Sequence, residues 1–171
     1  MKKQLVSILF ALCMVLCLVP LAAFAEGETE NVQEVTNQTD LFNAVADTSV
    51  TTVKLAANID VSSSLTVTRP DVTLDLNGFV LKYQNDSQRG SVIVVEGGGQ
   101  LTIEDSNTSK PSHKFKPNDD GLWVLDEKNG TETVTGGVIT GGTGYPFTLT
   151  SSTVVYYGGG VYIASGGQLR P

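Results

Sequence analysis

The chain has 171 residues, 40 % of them hydrophobic and 17 % charged, and carries a formal net charge of −7. Its 18 carboxylates against 11 basic residues argue against nucleic acid and anionic membranes as partners, because both repel an acidic surface. With two cysteines and one histidine, the sequence excludes a cysteine-rich metal centre and a disulfide framework.

The first 25 residues read as a secretory signal peptide. Lys2 and Lys3 are followed by the apolar run Leu5–Leu18, the breaker Pro20, and the A-x-A site Ala23-Phe24-Ala25, so cleavage is expected between Ala25 and Glu26. The apolar run is too short for a comfortable transmembrane span, and no stable membrane insertion is expected after cleavage. Cys13 and Cys17 both lie in this leader, leaving a mature chain with no thiol. Its stability must then come from burial and backbone pairing.

Residues 26–38 read as an acidic linker carrying Glu26, Glu28, Glu30 and Glu34. A short helix follows over 39–48, with Thr39 or Asp40 as its N-cap and Leu41, Phe42 and Val45 on one face. Short strands come next: Thr52–Leu55, Ile59–Val61, Leu65–Thr68, Val72–Leu76 and Phe79–Tyr83, each with an alternating apolar face. Arg69-Pro70-Asp71 and Asn77-Gly78 punctuate them as turns.

Part of Ser91–Asp105 (SVIVVEGGGQLTIED) recurs at Val161–Leu169 (VYIASGGQL). The offset from Leu101 to Leu169 is 68 residues, and it superimposes Val161 on Ile93 and Ile163 on Val95. Self-similarity at fixed spacing marks stacked repeats, each burying its apolar side against the next. An antiparallel sandwich containing two similar hairpins is the alternative. Between the copies, Ser106–Thr133 interrupts the pattern and reads as one β-hairpin excursion turned at Asn129-Gly130.

These stretches, with GGVITGG and DVTLDLNGFVLKY, resemble secreted, cell-surface bacterial proteins with the pectin-lyase-like fold. The resemblance covers roughly Leu41–Leu169 and implies an all-β, right-handed parallel β-helix with a short N-terminal capping helix. The domain would occupy 39–171, its C-terminus cut short at Arg170-Pro171. An uncovered last coil would be available for end-to-end self-association.

Candidate chemistry is sparse. Asp71, Asp75 and Glu104 form an outward acidic row if their coils stack in register, with Arg69 and Lys82 the nearest bases. The row resembles the carboxylate sites of pectate lyases in residue type only; a solvated face is the simpler reading. His113, Lys114 and Lys116 make the one basic patch, either a solvated loop or a contact for an acidic glycan. Trp123 with Phe115 is either a sugar-stacking platform or a small satellite core. The glycine corners Gly141–Gly144 and Gly158–Gly160 lead into no helix and no lysine, so no nucleotide cofactor is expected, and no metal site either. The sequence thus predicts an exported structural or adhesive surface protein, with polysaccharide or host glycan as partner and no catalytic residue of its own. The alternative is the N-terminal part of a polysaccharide lyase or hydrolase with its catalytic coils beyond Pro171.

Overall fold

The computed structural model of the chain describes residues 30–85, 89–109, 111–119, 121–150 and 153–170. The expected signal peptide and its expected cleavage site at Ala25 and Glu26 lie outside the described residues. The described residues are mostly β, with one helix among them. No helix among the described residues is long and apolar enough to cross a membrane.

Three parallel sheets carry the core. The first aligns β1 (Val32–Val35), β2 (Thr52–Leu55), β5 (Val72–Asp75), β8 (Gln100–Glu104) and β16 (Gln168–Arg170). The second holds β3 (Ile59–Val61), β6 (Val80–Tyr83) and β12 (Val138–Thr140); the third holds β4 (Leu65–Val67), β7 (Ile93–Val95) and β15 (Val161–Ile163). From β2 onward the chain visits the three sheets in the same order on each pass. Alternation sends Val53, Leu55 and Leu74 from the first sheet, Ile59 and Leu81 from the second, and Val67 and Ile93 from the third into one shared core. The positions superimposed by the repeat are ladder partners: Leu101 with Leu169, Ile93 with Val161, and Val95 with Ile163.

The repeated corner has a steric reason. A Cβ on Gly99 would lie 2.2 Å from the carbonyl oxygen of Val67, and one on Gly167 would lie 2.2 Å from that of Val95. In both copies the backbone sits so close to its neighbour that no larger residue fits.

Helix α1 (Gln38–Ala46) lies across β1, β2, β3 and β4 and buries Leu41, Ala44 and Val45. Its N-cap is Asn37, whose Oδ1 accepts from the Asp40 amide at 3.0 Å, and not Thr39 or Asp40 as the sequence suggested. At the other end the Arg69 guanidinium donates to the carbonyls of Val45 and Val50, both at 2.7 Å.

Three expectations are corrected. Part of the acidic segment is not a linker: β1 pairs in parallel with β2 and buries Val35, because even one apolar residue and a free strand edge give the segment somewhere to dock. The interruption is not a two-stranded hairpin. It is a three-stranded antiparallel flap of β9 (Ser112–Pro117), β10 (Trp123–Leu125) and β11 (Glu132–Thr135), with β9 in the middle. The β9–β10 connection is closed by Asn118, whose amide donates to the Leu122 carbonyl, while Asn129-Gly130 sits in the loop that crosses from β10 to β11. There is also a second excursion, the antiparallel pair β13 (Tyr145–Thr150) and β14 (Thr153–Tyr157), leaving at the Gly141–Gly144 corner.

Candidate functional site: a cleft beneath the first flap

Where the flap overhangs the second parallel sheet, a cleft of about 640 Å³ opens. Leu122, Trp123 and Val124 line it from the flap; Lys82, Ile139 and Thr140 line it from the sheet; Gly141–Thr143 close one end. Lys82 and Thr140 are ladder partners on the outward side of β6 and β12, which is why the sheet presents both to the same space. Trp123 is 56 % exposed, so its ring offers a flat apolar face to solvent and not to a core.

The residues singled out in the sequence are separated by strand alternation. His113 and Phe115 are buried, at 2 % and 9 % exposure, so neither is available to a ligand. Lys114 and Lys116 point to the other face of β9; Lys114 is exposed, and Lys116 pairs with Asp126 at 2.6 Å. Trp123 stands opposite Pro117, and Leu125 opposite Phe115, which sets Trp123 diagonal to Phe115 on one face of the flap, the first ring exposed and the second buried. Of the five, only Trp123 reaches the cleft. Lys82 and Thr140 went unsingled as ligand contacts. Their outward alternation was readable, but which outward face lies under a flap was not.

His113 has a structural task. Its Nε2–H donates to the Gly78 carbonyl at 2.9 Å, and its Nδ1 lies 2.7 Å from a Glu127 oxygen. The second Glu127 oxygen accepts from the Lys114 amide at 3.1 Å. Asp105, at the point where the chain leaves the sheets, completes the fastening. One of its oxygens accepts from the Gly78 amide and the other from the Gly137 amide, both at 2.6 Å. The chain returns at Gly136, where φ is 86° and a Cβ would lie 2.5 Å from Asp105 Oδ2.

The acidic row does not form a site. Asp75 is next to Glu104 in the ladder but is 3 % exposed and fully engaged. It accepts from the Ser106 amide at 2.9 Å, the Ser106 hydroxyl at 2.7 Å and the Asn77 amide at 2.8 Å, and pairs with Lys54 at 3.1 Å. Burial pushes its carboxyl up, but the hydrogen bonds from Ser106, Lys54 and Asn77 outweigh that and hold it below the ordinary value. Asp71 lies apart, bridged to Arg170 at 2.9 Å. Arg69 is committed to the carbonyls of Val45 and Val50, and burial lowers its pKa from the ordinary value. Among the described residues no three metal-binding side chains cluster.

Parallel strands sharing one core, with an aromatic cleft under an outward flap, make this a mostly β protein, and the family match places it in the pectate lyase-like class. The chain belongs to the family described as "Putative pectate lyase-like adhesive domain", whose model matches residues 32–157. No curated protein and no solved structure matches it.

Proposed function

We propose that this is an exported, cell-surface adhesive protein, built on a right-handed parallel β-helix, that binds carbohydrate in the Trp123 cleft. The adhesive family supports the role, and the signal-like leader supports the destination. The cyclic visiting order of the parallel sheets favours the β-helix. The observation that carries the site is the exposed Trp123 facing a wall of Lys82 and Thr140: a sugar ring stacks on the indole while its hydroxyls meet polar groups opposite. Lys82 has no ion-pair partner among the described residues, so its ammonium is free to donate. The former candidates His113 and Phe115 act here as support for the cleft wall.

A glycan array tests the reading. Binding without turnover is expected, and Trp123→Ala should weaken it by about tenfold while leaving the thermal midpoint within a degree or two. Unsaturated product absorbing in the ultraviolet would instead favour a lyase. Unaltered binding by the variant would move the site elsewhere.

A further inference from the structure

The flap is held to the rest of the molecule by few attachments. Strands β9, β10 and β11 pair only with one another and with no strand of the parallel sheets. All four residues of β11 are exposed, no residue of β10 is buried, and in β9 only His113 and Phe115 are buried. Phe115 is not part of the main hydrophobic core. Among the described residues, the side-chain fastening of the flap to the sheets centres on the turn Asn77-Gly78. Its carbonyl receives His113, and its amide is held by Asp105, which also holds the returning strand at Gly137. The His113 ring is a link between two bodies, since its other nitrogen meets Glu127 inside the flap.

We propose that the flap opens as a unit, a lid over the cleft, with His113 as its fastener and hence the positioning residue for Trp123. A segment with internal backbone pairing but little buried apolar surface opens locally at a fraction of the cost of global unfolding. The cleft divides along the same line: Leu122, Trp123 and Val124 travel with the flap, while Lys82, Ile139 and Thr140 stay with the sheets. Gly136, at positive φ, and Gly137 stand at the return, where a small backbone rotation swings the whole flap. Opening changes the width of the cleft without breaking a single ladder bond of the parallel sheets. The inference does not depend on what the cleft binds.

Hydrogen–deuterium exchange read by mass spectrometry on the full chain is the test. Peptides spanning 112–135 are expected to exchange at least about tenfold faster than those spanning β5 to β8. His113→Phe keeps a ring in the buried space and removes both hydrogen bonds. It should speed the flap a further tenfold or so, leave β5 to β8 unchanged, and increase acrylamide quenching of Trp123, the sole tryptophan. His113→Gln, which retains a donor toward Gly78, should restore part of the quenching protection. Equal protection of flap and sheets in the wild-type chain would overturn the lid, and that measurement stands even if the variant does not fold. A His113→Phe flap exchanging at the wild-type rate would remove His113 from the role, and a variant that speeds flap and sheets equally would show that they open together.

Discussion

Asp75 and His113 are both buried polar residues whose partners leave no capacity for a ligand. Replacing Asp75 by Asn removes the charge that faces Lys54 and spoils the acceptors for Ser106 and Asn77, so a loss of about 1–3 kcal/mol is expected in chemical denaturation. Acid sensitivity follows from the same chemistry. Asp126 is held at about 2, first by the Lys116 ammonium and then by the Asn129 amide, and Asp75 is also held below the ordinary 3.8. A carboxyl with a depressed folded-state pKa stabilises fully above its unfolded value and loses that contribution as pH falls through the folded one. The thermal midpoint should therefore decline as pH drops from 3.8 toward 2, and Asp126→Asn should flatten part of that decline. At this scale the sequence was legible further than it was read. In His113-Lys114-Phe115-Lys116, a strand of period two already separates the His and Phe from the two lysines, so a single patch of His113 with Lys114 and Lys116 was never geometrically available. What the residues could not reveal was that Gly78, thirty-five positions upstream, supplies the partner for His113.

Local chemistry at the element scale competes between alternatives. Helix α1 could have started at any of three polar residues. Asn37 wins because its extended backbone, at φ −150° and ψ 167°, aims Oδ1 at the Asp40 amide. Asn37→Ala should cost about 1 kcal/mol, measurable as a lowered midpoint in urea, with the sheets otherwise intact. The parallel strands β2 to β6 were readable to within a residue, since each shows an alternating apolar face, whereas β1 was hidden in an acidic stretch. The flap was harder. Asn129-Gly130 has the chemistry of a hairpin turn, yet Asp126 captures the amides of Lys128 and Asn129 at 3.2 and 2.8 Å and folds the segment into a crossing loop. With β10 already paired to β9 beside the Asn118–Leu122 hydrogen bond, β11 takes the free edge of β9 instead. Which of two strands a third will join is a tertiary choice that a dipeptide does not encode.

Across the whole molecule the repeat was the most informative feature, because it specifies a register as well as a fold class. Leu101 and Leu169 are ladder partners, but Leu101 is fully buried and Leu169 is 50 % exposed. Leu101→Ala should cost about 3 kcal/mol and Leu169→Ala less than about 1 kcal/mol, a contrast that thermal or urea unfolding of the two variants would read directly. Two excursions of unrelated length separate the partners without disturbing their alignment. Asp105 is the reason for the first: standing on the outgoing chain, its carboxylate holds the incoming chain at the Gly137 amide and anchors both to the Gly78 amide, so the ends of the insertion meet at a fixed seam. The scaffold therefore tolerates exchange at that seam. A short glycine-serine bridge, or a foreign loop of different length, should be graftable between Asp105 and Gly136 while the stacked strands keep their spacing, which makes the surface presented there a variable that the core need not follow.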